Sequence, residues 1–162
     1  MVHHEFKVGA QYKREHISEM VGDGGVTTGN WSTGYPQKDG VTFIFCNVGN
    51  AGQTGHDYDN RFDGPDLVWQ GRTGSHKRHA SVRRMIDPGA EVHVFWRSGG
   101  RDPFTYAGLG KAIEVSDEIP VRVRWQLSYP SMATAPLQLG RRLPFSELSK
   151  EKTIQLYTTF NA

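Results

Sequence analysis

Apolar and polar residues alternate almost without a break in Val121-Arg122-Val123-Arg124-Trp125-Gln126-Leu127. A period of two belongs to a strand with one face on a core and the other in water. Val121, Val123, Trp125 and Leu127 are therefore expected inside, and Arg122, Arg124 and Gln126 outside. Runs rich in β-branched and aromatic residues predict strands over Val41 to Val48, Leu67 to Gln70, Glu91 to Arg97, Phe104 to Glu114 and Val121 to Tyr129. Between them fall Gly22-Asp23-Gly24-Gly25, Asp63-Gly64-Pro65, Asp87-Pro88-Gly89 and Ser98-Gly99-Gly100, the residue types that make turns. Short helices are expected at three places. Arg14 to Val21 has Ile17 and Met20 at helical spacing, His79 to Ile86 has Val82, Met85 and Ile86, and Ser146 to Leu156 opens on a serine suited to capping. Ser131 to Arg142 follows neither period and reads as a long loop or an extended arm. The pattern as a whole predicts an α+β chain dominated by strands.

Length sets the scale of that chain. Its 162 residues and 18.2 kDa suit one domain with a real core, read here as 1–162 with a core over about 6–128 and an extension or arm over 129–162. Lys and Arg number 19 against 17 Asp and Glu, so the net charge of +2 excludes a polycationic tail, and any basic surface must arise from local clustering. The single cysteine, Cys46, sits inside an apolar run, where a buried inert thiol is expected and no internal disulfide can form. No apolar stretch approaches the roughly 18 residues of a membrane span, and the N-terminus lacks the basic start and apolar body of a signal peptide. A soluble, cytoplasmic protein is expected.

The candidate chemistry is concentrated between residues 55 and 84. Gly55-His56-Asp57-Tyr58-Asp59-Asn60 is followed by Trp69-Gln70-Gly71-Arg72 and then by Ser75, His76, Lys77, Arg78, His79, Arg83 and Arg84, with no acid from Arg72 to Arg84. Such a run can neutralise several phosphates, and Gly71, Thr73, Gly74 and Ser75 beside it can bring backbone amides close to a nucleic-acid backbone. The alternative is an ordinary solvated loop and helix face. Singly, Trp69 would be a core residue and Tyr58 a ring packed over a turn. Together they supply two faces for an unstacked base, while Asp59, Asn60 and Gln70 can hydrogen-bond its polar edge. Asp57, Asp59, Asp63 and Asp66, with the histidines, are the residues a metal-dependent nuclease would need, but most of these acids sit in what reads as a turn. The chain has no phosphate loop ending in Lys-Ser or Lys-Thr, no His-Glu-x-x-His, no zinc-binding cysteine pair and no Gly-x-Ser-x-Gly elbow. No catalytic residue, metal site or cofactor is predicted.

These residues resemble a known family. Gly55-His56-Asp57-Tyr58-Asp59-Asn60 followed by Leu67-Val68-Trp69-Gln70-Gly71 is similar to the SET-and-RING-associated (SRA, or YDG) domain. Gly40-Val41-Thr42-Phe43-Ile44-Phe45 resembles the strand before that family's pocket, Phe104-Thr105-Tyr106-Ala107-Gly108-Leu109 its Tyr-Asp-Gly-Leu-Tyr segment, and Val121 to Leu127 its closing strand. The likeness runs in order from about Phe6 to Leu127. Phe6 to Arg14 and Asn30-Trp31-x-Thr33-Gly34-Tyr35 resemble, more closely still, the SRA-like domains fused to bacterial restriction nucleases and helicases.

The resemblance implies a PUA-like twisted β-barrel flanked by a few short helices. It also implies binding to double-stranded DNA in which a modified cytosine, 5-methylcytosine or 5-hydroxymethylcytosine, is flipped into a pocket. That pocket would hold Tyr58, Asp59, Asn60, Trp69 and Gln70, with Trp31 and Tyr35 as a further wall; Trp31 serves equally well as a plug for the barrel end. Arg72, Ser75, His76, Lys77, Arg78, Arg83 and Arg84 would hold the DNA backbone. Cleavage would belong to a separate nuclease or helicase partner. Three departures bear on which modification is read: Trp69 stands where the family usually has Tyr, the turn is slightly shorter, and Ser75-His76-Lys77-Arg78-His79 replaces an Asn-rich segment. PUA-like barrels also read RNA, so an RNA-binding module is one alternative and the metal-dependent nuclease another. An apolar surface around Tyr129, Pro130 and Ala133 would suit a phosphorothioate reader, although a Tyr-Pro turn after a strand is common on structural grounds.

Overall fold

In the computed structural model, which describes residues 5–49, 60–99, 101 and 103–128, the expected strands form close to their predicted limits and three short ones join them. In chain order the elements are β1 (Gln11–Tyr12), α1 (Arg14–Met20), a 3-10 turn over Gly29–Ser32, β2 (Gln37–Lys38), β3 (Val41–Asn47), β4 (Arg61–Asp63), β5 (Asp66–Gln70), α2 (Ala80–Ile86), β6 (Glu91–Arg97), β7 (Phe104–Val115) and β8 (Arg122–Ser128). β1, β2 and β4 were not expected, because two or three residues are too few to display a period. The helix predicted over Ser146 to Leu156, the arm over Ser131 to Arg142 and the Tyr129, Pro130 and Ala133 surface lie outside the described residues.

The strands form one mixed sheet in the order β2-β3-β6-β7-β8-β5-β4, with β1 paired to β7. β3 and β6 run parallel, Val41 opposite Glu91 through Asn47 opposite Arg97, and every other pair is antiparallel. A parallel pair needs a long crossover, and here the crossover contains the β4–β5 hairpin and α2. The sheet curls until the start of β4 meets the end of β3. Asn60 Nδ2 donates to the Asn47 carbonyl at 3.1 Å, and the Gly49 amide donates to the Asn60 carbonyl.

Both sheet faces are buried. In β3, Ile44 and Cys46 enter one core with Leu67, Trp69, Val92, Val94, Val121, Val123, Trp125, Leu127 and the α2 residues Val82 and Met85. Val41, Phe43 and Phe45, on the opposite face, join Phe6, Ile17, Trp31, Phe95, Phe104 and Tyr106 beneath the N-terminal segment. This explains why Val41 to Cys46 is an unbroken buried run rather than an alternating one. Cys46 is indeed buried, and desolvation pushes its thiol up to about 12, so it stays protonated and inert. Gly110 lies where a methyl group would come within 3.0 Å of Val94 Cγ2 and 3.2 Å of Trp125 Cε3, so the absence of a side chain lets Trp125 and Val94 pack closely against β7. No helix among the described residues is long and apolar enough to cross a membrane.

One strand expectation is corrected. Val121, Val123, Trp125 and Leu127 are buried as predicted, but Arg124, expected in water, is 2 % exposed. Its Nη1 donates to Asp63 Oδ2 at 2.7 Å and reaches Asp66 Oδ2 at 3.5 Å, and its Nε lies 3.4 Å from Glu114 Oε1. The Asp63-Gly64-Pro65-Asp66 turn folds over β8, and its two acids become the counter-charges of a buried guanidinium.

Candidate nucleic-acid interface

The β4–β5 hairpin carries Asn60 at one end and Trp69 and Gln70 at the other. Asn60 is buried and its amide is used on both sides: Nδ2 holds the end of β3, and Oδ1 accepts the Gln70 amide at 2.8 Å. Asn60 therefore ties three strand ends together immediately after Tyr58 and Asp59, which lie outside the described residues together with the rest of 50–59. Trp69, 2 % exposed, packs edge-on to Tyr35 at 5.4 Å and to Trp125 at 6.2 Å. Arg72 lies over the Tyr35 ring at 5.8 Å. The fold thus brings Tyr35, Asn60, Trp69, Gln70 and Arg72 into one cluster from three separate stretches of sequence.

Trp31 is not in that cluster. It occupies the other core, tilted on Phe43 at 5.5 Å, and its Nε1 donates to Asp23 Oδ2 at 2.6 Å. The intervening strand β3 presents its two faces to the two cores, so residues only four apart, Trp31 and Tyr35, end on opposite sides of it.

Beyond Gly71 the basic run leaves the sheet. Arg72, Lys77, Arg78, Arg83 and Arg84 are exposed, whereas Ser75 is buried. Two details differ from expectation. The Gly71 amide is not available to a ligand, since it donates to the Val121 carbonyl at 2.8 Å, and the Ser75 amide donates to Arg72 at 3.0 Å. Gly71 is a close-packing residue instead: a methyl group there would lie 2.4 Å from Ser75 Oγ. Lys77 pairs with exposed Asp117, and Arg84 Nη1 donates to Gln37 Oε1 at 3.1 Å. Arg83 and Arg84 occupy the last turn of α2, where the helix dipole favours cations. The rings of His76 and His79 lie 3.6 Å apart, and His76 Nδ1 accepts the Arg78 amide. Desolvation, then the His79 and Arg78 charges, lower the His76 pKa, so the neutral imidazole is favoured near pH 7.

Of the four acids that a metal site would use, Asp63 and Asp66 are engaged by Arg124, and Asp57 and Asp59 lie outside the described residues. Among the described residues no three His, Cys, Asp or Glu side chains are grouped to hold a metal ion. Sequence reasoning missed Arg124 because a charged residue in an alternating strand normally marks the wet face. The available signal was the pair of acids bracketing Gly64-Pro65 in a tight turn.

This β-rich α+β architecture, one mixed sheet with two helices, is similar in fold to solved SRA domains. The SRA domain of SUVH5 in complex with hemimethylated CG DNA resembles this chain with a TM-score of 0.54 and 15 % identity, over 83 % of this chain and 96 % of that one. The same domain with methylated CHH DNA gives 0.52 and 17 %, and with fully methylated CG DNA 0.51 and 16 %, each over 80 % of this chain and 93 % of the other. No family model and no curated protein sequence matches. At such identities the likeness is one of fold.

Proposed function

We propose that this protein reads modified DNA, binding a duplex that carries 5-methylcytosine or 5-hydroxymethylcytosine and flipping that base out of the helix. The observation that carries this reading is the SRA fold across most of the chain, in structures solved with methylated DNA, combined with an exposed basic run that starts directly after the strand bearing Trp69. Tyr58 is assigned a stacking face and Asp59 the polar edge of the base. Trp69, Asn60, Gln70 and Tyr35 form the wall behind them. Because Trp69 is buried on Tyr35 and Trp125, it reaches a base only when Tyr35 or the neighbouring chain moves aside. Arg72, Lys77, Arg78, Arg83 and Arg84 hold flanking phosphates as long, solvated cations, giving affinity that falls with salt. The protein acts as a reader rather than an enzyme, serving a modification-dependent restriction system whose cleavage lies in a nuclease or helicase partner.

The test is fluorescence anisotropy at fixed salt with one duplex carrying cytosine, 5-methylcytosine or 5-hydroxymethylcytosine at the same position. A preference for a modified duplex is expected, and Tyr58→Ala should abolish it while leaving weak, salt-dependent binding. Trp69→Phe, which keeps an aromatic ring in the core, should reduce the preference without unfolding the sheet. Equal binding of all three duplexes by the wild type would overturn the modified-cytosine reading and make structured RNA the next ligand to try.

A further inference from the structure

A second concentration of cations lies on the other side of β3 and belongs to none of the residues assigned above. Lys13, Arg14, Arg97 and Arg101 line a cleft of about 240 Å³ whose described lining also includes Phe104, Pro103 and the acid Glu15. Arg14 and Arg97 stack on one ring, their guanidinium carbons 5.6 and 4.1 Å from the Phe104 centroid, and Arg14 also covers Phe45 at 4.3 Å. Arg14 is held by backbone carbonyls and Arg97 by a side-chain amide. Arg14 Nη1 donates to the Trp31 and Thr33 carbonyls at 3.0 and 2.6 Å, and Arg97 Nε donates to Asn47 Oδ1 at 2.8 Å. Lys13 and Arg101 are exposed at the rim, and among the described residues neither they nor Arg14 forms an ion pair with a carboxylate.

A cation that only held the Trp31 to Thr33 turn would need no second guanidinium beside it. Arg14 is lowered to about 10, first by burial and then by the charge of Arg97, so an anion beside Arg14 would offset both effects. The contrast with the larger cleft of about 540 Å³ between β2, β3 and α2 is instructive. There Lys38 and Arg84 are balanced by Asp39 and Asp87, and Lys38 is already paired with Asp23. A planar guanidinium fixed on an aromatic floor through Nη1, as Arg14 is, beside the exposed cations Lys13 and Arg101, is an arrangement that recognises phosphate.

Location narrows the source of that phosphate. Asn47, which fixes Arg97 through its side chain, also fixes Asn60 through its carbonyl, so the cleft shares one residue with the end of the β4–β5 hairpin. We infer that the Lys13, Arg14, Arg97 and Arg101 cleft seats a backbone phosphate of bound DNA, a second anchor across the β3 and β6 strand ends from the Arg72 to Arg84 run. This rests on the modified-DNA reading for its ligand. Two anchors flanking the hairpin would hold the duplex on both sides of the base that is extruded.

The double variant Lys13→Ala/Arg101→Ala tests the cleft with its buried members intact. Thermal unfolding should be unchanged, since both side chains lie at the exposed rim. Anisotropy titrations across a salt series should show roughly tenfold weaker binding to cytosine and modified duplexes alike, with the slope of log K against log salt reduced by about 1 and the preference for modification retained. A preference with unaltered affinity and slope in the variant overturns the second anchor while leaving the reader assignment intact. Absence of any preference in the wild type, with the variant still weakened, overturns the reader assignment and supports the phosphate seat. Calorimetry with inorganic pyrophosphate separates the sources: loss of pyrophosphate binding in the variant without loss of DNA affinity assigns the cleft to a free anion and overturns the anchor.

Discussion

The β4–β5 hairpin and the Arg72 to Arg84 run are adjacent in sequence, yet they obey opposite physical rules. In the hairpin the polar side chains are largely buried, with Asn60 bonded to Asn47 and Gln70 and Asp63 and Asp66 to Arg124, and Trp69 is wedged between Tyr35 and Trp125. In the basic run the cations extend into solvent on a loop and a seven-residue helix, and the contacts of Lys77 and Arg84 are rim contacts of little energetic weight. Reading a single base requires groups held to within a fraction of an ångström. Holding phosphates requires only charge within a Debye length. Under the proposed modified-DNA reading, one stretch of chain would place rigid and loose recognition elements side by side, and the contrast can be attacked from either side.

The largest effect is expected from Arg124→Ala. Removing the guanidinium leaves Asp63 and Asp66 buried without their cation, a loss of about 3–5 kcal/mol by chemical denaturation, and should loosen the hairpin and abolish selective DNA binding together. An Arg124→Ala protein as stable as wild type would show that the ion cluster does not hold the hairpin. Next comes Gly110→Ala, in which a methyl group against Trp125 and Val94 is expected to cost about 1–3 kcal/mol without touching any residue assigned to DNA. Asn60→Ala removes the two bonds that close β3, β4 and β5, about 1–3 kcal/mol. Its preference for a modified duplex should fall more than its affinity for an unmodified one, and equal losses would place Asn60 outside the reading pocket.

On the loose side, Arg78→Ala/Arg83→Ala should leave stability within about 0.5 kcal/mol and weaken binding to all duplexes, lowering the salt slope by roughly 2. A drop in melting temperature would instead give these arginines a structural role. The smallest effect concerns pH. Hydrogen bonds from Lys38 and then from Trp31 hold the Asp23 carboxyl below its ordinary value of 3.8. Since the folded value is the lower one, this stabilisation is complete above 3.8 and is lost as pH falls through the folded value. Asp23→Asn should therefore unfold with a shallower acid dependence over that window, and an identical acid profile would mean that the Trp31 contact is electrostatically idle.

Legibility in the sequence tracks the local or non-local origin of each feature. β6 was predicted residue for residue, and β3, β5, β7, β8 and both described helices to within two, because period and turn chemistry are properties of a few neighbouring residues. The buried face of β8 followed from the same logic at Val121, Val123, Trp125 and Leu127. The opposite face did not, since whether Arg124 meets water or two aspartates depends on a turn some sixty residues earlier in the chain folding over it. Trp31 and Tyr35 look like one aromatic motif in sequence and are separated by a sheet in space.

The sequence by itself determined the strand-dominated class, the burial of Cys46, the position of the turns and the segregation of charge after Trp69, all of which follow from short-range composition and periodicity. Only the tertiary structure decided that the sheet has two cores and that Trp69 is enclosed by Tyr35 and Trp125. It also decided that Asp63 and Asp66 serve Arg124, and that Arg14 and Arg97, 83 positions apart in the sequence, share one aromatic ring. The reason is that these outcomes depend on which surfaces meet when a mixed sheet with a parallel crossover curls on itself. Local patterning constrains such long-range pairings only through the shared requirement to bury apolar area and satisfy buried polar groups.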